Sequence, residues 1–323
     1  MAQLQRRCDI EEMIRLRSVE DIPDEKVREI LAQMDPRGNC AVMSIEQKRA
    51  LQLKGIVRAG EPAPVAAIED HSMLTRAGEK LRVRLYRPEQ SRGNLPVVLY
   101  VHGGGFFAGS LETHEPVCRA IANLTPAQVV SVDYRLAPEH RWPAALDDCF
   151  DALLWITQTL RPRRLIIAGD SAGGNLAACA ALQADGSDVR IDAQVLIYPM
   201  LDAVMSLPAY VENALVPPFT LLDCVYVWQL FLPRDADRRT AHISPLYAKP
   251  DALQRQPAAL ILTAEYDILR DDGLSYGNAL REAGVRVEHE HYAAMPHGFL
   301  LWGATVRAAI DGLERIAAFV RSV

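Results

Sequence analysis

The feature that most constrains this chain is a succession of short apolar runs of strand length, with helical spacing between them. PVVLYV (96–101), QVVSVD (128–133), RLIIAG (164–169), QVLIY (194–198) and AALILTA (258–264) are mostly apolar throughout. Such runs read as strands buried on both faces, as in a parallel sheet. ALDDCFDALLWITQTL (145–160) and NLAACAALQ (175–183) lie between them and read as helices, while LRVRLYRP, from Leu81, alternates and reads as one more strand. Alternation of this kind predicts the α/β class, with a mostly parallel central sheet and helices on both faces.

Two segments break the rhythm. Residues 1 to 55 precede the buried runs and read as helical: Ile22, Val27, Ile30, Leu31 and Met34 recur at helical spacing, with Asp21 as the expected N-cap and Pro23 near the first turn. About sixty residues separate QVLIY from AALILTA, more than a crossover needs, and they contain the aromatic-rich helical stretch FTLLDCVYVWQLFL (219–232). The expected layout is therefore an N-terminal helical part of a cap (1–55), a catalytic α/β domain (56–202 and 246–323) and a cap insertion (203–245).

Of the 323 residues, 50% are hydrophobic, enough for a sizeable core. The net charge of -6 offers no basic footprint for nucleic acid and no polybasic membrane patch. No apolar stretch reaches the ~18 residues of a membrane span, and the charged N-terminus lacks the apolar region of a secretory signal. The six cysteines (Cys8, Cys40, Cys118, Cys149, Cys179 and Cys224) are scattered and form no C-x-x-C pair. A cytoplasmic protein with reduced thiols and no stable membrane insertion is expected.

Chemistry concentrates around GDSAGGN (169–175). A G-x-S-x-G pentapeptide between a strand and a helix is a nucleophile elbow, in which small residues let a sharp turn lift the serine hydroxyl clear of the sheet. Ser171 is thus the candidate nucleophile. HGGGFFAG (102–109) follows the strand PVVLYV, and its glycines can aim backbone N–H groups at a developing oxyanion. The expected donors are Gly104, Gly105 and Ala172; Gly103 shapes the loop and His102 braces it. Gly103-x-Gly105-x-x-Ala108, with Asp133 ending the next strand, also fits a dinucleotide fingerprint. That reading needs a helix at once, whereas helical pattern resumes only near Val117.

A base and its orienting acid complete such a site. Asp267 lies just past the end of AALILTA; Glu265, Asp271 and Asp272 compete with it, although the last two read as the start of a helix. His297 follows the alternating strand VRVEHEHY in a loop between Pro296 and Gly298. His289 and His291 share a strand face but show no third metal ligand, and His71, His114, His140 and His242 read as surface or supporting residues. The expected order is nucleophile, acid, base. No cofactor and no metal is called for.

HGGGFF, VDYRLAPEHRWPAALDD, GDSAGGN, YPMLD, SPL, DILRDDG and PHGF occur in one order, and from about residue 40 onward the chain resembles the hormone-sensitive-lipase-like carboxylesterases of bacterial type. The resemblance implies an α/β-hydrolase fold with a helical cap, and hydrolysis of short- to medium-chain acyl esters. It implies the triad Ser171, Asp267 and His297, an oxyanion hole of Gly104, Gly105 and Ala172, and the GDSAG branch through Asp170. Glu139 of LAPEH falls on the family's buried acidic residue behind the active site; the plainer reading is an ion pair with Arg135 or Arg141. The acid loop departs from the pattern, reading DILRDD where the family often has Pro after the Asp.

Phe106, Phe107, Tyr198, Phe219 and Trp228 are the candidate pocket residues, and the partner is a small acyl ester. Dimers are common in the resembling family, although no dimer motif is readable here. An amidase, an arylformamidase or a non-catalytic ligand-binding relative could use the same scaffold. The cap reading makes a prediction: deletion of residues 1 to 35 shifts chain-length preference or lowers activity, and unchanged kinetics in a folded truncation would refute it.

Overall fold

The computed structural model describes residues 16–34, 43–89 and 93–323. Cys8, Cys40 and the helical reading of 1–15 and 35–42 lie outside the described residues. The strands are β1 (Ala67–Leu74), β2 (Lys80–Arg87), β3 (Val97–Val101), β4 (Gln128–Val132), β5 (Leu165–Asp170), β6 (Ala193–Ile197), β7 (Ala258–Tyr266) and β8 (Val287–Pro296). They form one sheet in the order β1-β2-β4-β3-β5-β6-β7-β8. β2 runs antiparallel to both β1 and β4, and every other neighbouring pair is parallel.

The two-residue period of a strand explains the uninterrupted apolar runs. Val97, Leu99 and Val101 of β3 join Leu165 and Ile167 of β5 in one core layer, while Val98 and Tyr100 join Ile166 and Ala168 in the opposite layer. Both faces are covered, so neither set can be polar. β1 is the strand the apolar pattern does not mark. It lies at the sheet edge, where Ile68 and Leu74 are exposed and Glu69, Asp70, His71 and Ser72 interrupt any run.

The longer helices are α1 (Glu25–Ala32), α2 (Ile45–Lys54), α3 (Leu111–Leu124), α4 (Ala144–Thr159), α5 (Ala172–Ala184), α6 (Leu221–Phe231), α7 (Arg270–Glu282) and α8 (Arg307–Ser322). Cys149 and Leu153 of α4, Leu176 of α5, and Tyr276 of α7 pack in the first layer. Val117 and Ile121 of α3, Ile316 and Phe319 of α8, and Val27, Ile30 and Leu31 of α1 pack in the second. α6 presents Cys224, Val227, Trp228 and Phe231 to the first layer.

Two local expectations change. Asp24, not Asp21, caps α1: its carboxylate accepts the Val27 N–H, since a cap must directly precede the first helical residue. Asp21 instead accepts the Ser18 N–H at 2.9 Å in the preceding turn. α3 begins at Leu111, well before Val117, because Ser110 and Thr113 form a reciprocal cap. The polar residues 112–115 and Pro116 conceal its period in the sequence.

The start of α5 crosses close to the end of β3. A methyl group at Gly173 would overlap the carbonyl oxygens of Val101 and His102, which are backbone and cannot rotate away. Gly173→Ala is therefore expected to destabilise the fold by about 1–3 kcal/mol or more, as overpacking does, read as a lower urea midpoint.

Candidate active site

β5 ends at Asp170 and α5 begins at Ala172, so the turn between them is Ser171 alone. Its backbone has φ 56 and ψ -120, a conformation that L-residues avoid. Three hydrogen bonds hold it. The Ser171 N–H donates to Ile197 at 2.9 Å, and its carbonyl accepts from Asn175 at 3.1 Å and Met200 at 3.2 Å. Ser44, Ser110 and Thr220 cap their helices with their hydroxyls, but Ser171 makes no side-chain cap. Its Oγ is left for another partner.

That partner is His297, whose Nε2 lies 2.9 Å away. His297 Nδ1 lies 2.7 Å from Asp267 Oδ2, and Asp267 Oδ1 accepts the Leu269 N–H at 2.8 Å. A carboxylate only accepts, so Nδ1 carries the proton and Nε2 is free to accept from the serine hydroxyl. All three side chains are nearly buried. They come from positions after β5, after β7 and after β8, at the carboxyl ends of parallel strands. Asn213 fastens the acid loop, donating to the carbonyls of Asp267 at 2.9 Å and Glu265 at 3.1 Å.

The competing carboxylates are engaged elsewhere. Glu265 pairs with Arg17 and Arg270 and contacts His291 Nε2 at 2.9 Å. Asp271 and Asp272 lie in the first turn of α7. Asp272 accepts from Leu201 N, Asp202 N and the Tyr210 hydroxyl, and burial pushes its pKa well above the usual carboxylate range. His289 and His291 both lie against Thr263 Oγ1, at 2.8 and 2.9 Å. Among the described residues there is no cluster suited to a metal.

The glycine loop after β3 lies beside the serine. Gly104 (φ 123) and Gly105 (φ 60) adopt left-handed backbone, and the Gly104 carbonyl accepts from Phe107 N at 3.3 Å and Ala108 N at 3.0 Å. The Gly103 N–H donates to Asp170 Oδ1 at 2.9 Å. The N–H groups of Gly104, Gly105 and Ala172 donate to no acceptor among the described residues. Gly104, Gly105, Ser171 and His297 border one cavity of about 610 Å³.

Asp170 joins the elbow to the glycine loop. Besides Gly103 it accepts from the Tyr100 hydroxyl at 2.9 Å and faces His114 Nε2 at 3.3 Å. Burial opposes its charge, but His114, Tyr100 and the Gly103 N–H outweigh that and hold its pKa below the ordinary range. His102 is buried between Tyr134 and His114, with ring centroids 4.2 and 5.5 Å away, and its Nδ1 lies 2.9 Å from the Gly103 carbonyl. Burial, helped by His114, lowers its pKa to about 3.

Of the five expected pocket residues, Phe107, Tyr198 and Phe219 border the cavity. Tyr198 and Phe219 also flank the His297 ring, each with centroids 4.9 Å away. Phe106 and Trp228 do not border it. Phe106, at φ 63, turns its ring into the core and stacks on Phe231 at 3.8 Å, with Trp228 5.2 Å away. The reading of Glu139 as a buried acid is also corrected. It is exposed and pairs with Arg49 at 2.8 Å, while Arg135 pairs with Asp148 and Arg141 donates to the carbonyls of Gln229 and Leu232. Met34, Lys48, Leu51, Gln52 and Ile56 of the N-terminal segment form a wall that no motif announces.

The lowered pKa of His102 makes a prediction. Between about pH 6.5 and pH 3 the unfolded chain binds a proton at this position that the folded chain refuses, so stability falls as pH drops through that window. His102→Phe keeps the stacking but cannot titrate. Between pH 7 and pH 5 the wild type is expected to lose about 2 kcal/mol more than this variant in urea unfolding; equal losses would remove the effect.

The comparisons with known proteins point to one family. Residues 98–301 match a family model described as alpha/beta hydrolase fold. The chain is 38% identical over 312 residues to carboxylesterase NlhH of Mycobacterium tuberculosis, covering 93% of this chain and 97% of that protein. It is 35% identical over 288 residues to the ethyl acetate hydrolase of Pseudomonas putida, covering 85% and 89%. The solved esterase of Pyrobaculum calidifontis superposes with a TM-score of 0.83 at 36% identity, covering 93% of this chain and 98% of that one. On these matches the chain belongs to the hormone-sensitive-lipase-like carboxylesterases of the α/β-hydrolase superfamily.

Proposed function

We propose that this protein hydrolyses short- to medium-chain acyl esters through Ser171, His297 and Asp267, by way of an acyl-enzyme. The observation that carries the reading is the continuous chain from Ser171 Oγ through His297 to Asp267 at the wall of an open cavity. His297 Nε2 takes the serine proton as Oγ attacks the ester carbonyl, and returns it to the leaving alcohol. Asp267 keeps the imidazole in its tautomer and stabilises the imidazolium. The Gly104, Gly105 and Ala172 N–H groups receive the oxyanion, and removal of one such donor typically costs about 100- to 1000-fold in rate. Water then attacks the acyl carbonyl as His297 Nε2 takes its proton, the bond to Ser171 Oγ breaks, and His297 returns the proton to Oγ as the acid leaves.

Phe219, Val227, Leu51, Ile56 and Met34 make much of the cavity wall apolar, which supports an acyl chain as its occupant. A cytoplasmic location is part of the proposal, and the buried free thiols of Cys118, Cys149, Cys179 and Cys224 support it.

The test is hydrolysis of p-nitrophenyl esters from C2 to C12 beside Ser171→Ala and Asp267→Asn. Rates should peak among the short to medium chains. Ser171→Ala should fall on the order of 10⁶-fold in kcat and Asp267→Asn about 10⁴-fold. Full activity in Ser171→Ala, or amide turnover exceeding ester turnover, would overturn the reading.

A further inference from the structure

The glycine loop is anchored on its inner side by Asp170, through the Gly103 N–H. Its outer side is anchored by a residue from far away in the chain. Arg49, on α2, donates Nε to the Phe107 carbonyl at 2.7 Å and Nη2 to the Ala137 carbonyl at 3.1 Å. The same guanidinium meets both carboxylate oxygens of Glu139, at 2.9 and 2.8 Å. Ala137 is itself bound to the loop, donating its N–H to the Phe106 carbonyl at 2.9 Å. Arg49 thus closes a circuit through three backbone segments: α2, the turn 104–108, and the segment after β4.

We propose that Arg49 is a positioning residue for the oxyanion hole, holding the Gly104–Gly105 turn against the helix that forms the acyl wall. The inference rests on the reading of Gly104 and Gly105 as oxyanion donors. Two consecutive glycines have the least conformational restraint of any backbone pair, so their N–H directions must be set by what pins the turn on either side. Asp170 pins one side. On the other, Phe107 donates its own N–H to Gly104 and gives its carbonyl to Arg49. Fixing a donor matters because misplacing it by about 1 Å costs on the order of 100-fold in rate.

The chemistry suits arginine. Its planar fork can serve a carbonyl from Nε, a second carbonyl and a carboxylate at once; a lysine ammonium has no such geometry. The Arg49–Glu139 pair has side chains 29% and 51% exposed, so its direct contribution to stability is small. Its use is to aim the guanidinium at the two carbonyls. Lys48 and Gln52, neighbours of Arg49 on α2, border the cavity. The clamp therefore links the wall that meets the acyl group to the donors that would hold its carbonyl.

The test uses the full chain, with p-nitrophenyl butyrate kinetics and the affinity of a phenylboronic acid, whose tetrahedral adduct on Ser171 places an oxygen in the hole. Arg49→Met is expected to lower kcat about 10- to 100-fold, with KM altered far less. Boronate affinity should weaken by a similar factor while the melting temperature stays near that of the wild type. Glu139→Gln, which keeps both carbonyl bonds, should cost much less. A kcat near the wild-type value, a loss confined to KM, or unchanged boronate affinity would overturn the proposal. If Arg49→Met does not fold, Arg49→Lys decides: lowered kcat with weakened boronate binding supports the clamp, and wild-type values overturn it. Failure of the underlying esterase reading looks different, because the wild type then shows no Ser171-dependent turnover and the role of the clamp falls with it.

Discussion

The backbone of Ser171 is held in a strained conformation by its hydrogen bonds to Ile197, Asn175 and Met200, and the site is organised around that restraint. A conformation of this kind costs roughly 1–3 kcal/mol and persists only where its surroundings over-determine it. Here they do: β6 supplies one partner, the first turn of α5 another, and the chain after β6 the third. The close crossing at Gly173 brings α5 against β3, which sets the elbow beside the glycine loop.

Burial then sets the character of the groups around the elbow. Asp170 stays charged because three donors face it, and the same carboxylate fixes the Gly103 N–H. His102 stays neutral because burial and His114 oppose a proton there. Two ionisable groups a short distance apart are thus held in opposite states by their surroundings, one by donors and the other by desolvation. Both brace the loop that presents Gly104 and Gly105. Neither takes part in the chain from Ser171 to Asp267.

The cavity is a joint product of distant segments. Phe219 and Val227 come from the long connection between β6 and β7, and Met34, Lys48 and Leu51 from the N-terminal segment. The sheet carries Ser171, Asp267 and His297 at its strand ends, while helices from outside the parallel core supply the wall. This division lets one scaffold keep its chemistry while pocket shape varies. Arg49 is one contact at which the two parts meet in hydrogen bonds, through Phe107 and Ala137.

Much was legible in the sequence because it depends on short-range pattern. A strand buried on both faces is apolar along most of its length, so β3 to β7 announced themselves, and an elbow needs small residues around Ser171, so GDSAGG did too. Asp267 and His297 were readable as loop residues just past strands, in the order the resembling family shows. What remained was decided by the tertiary structure, because it depends on which residues meet across long separations. Edge strand β1 lacks an apolar run because only part of it is covered. Phe106 and Trp228 look like pocket residues by composition, yet the turn at Phe106 sends its ring into the core and Trp228 packs there from α6, and Glu139 sits at the surface facing Arg49. A local motif specifies the conformation of its own few residues. It carries no information about the partner brought to it from 90 positions away, as Arg49 is to Glu139.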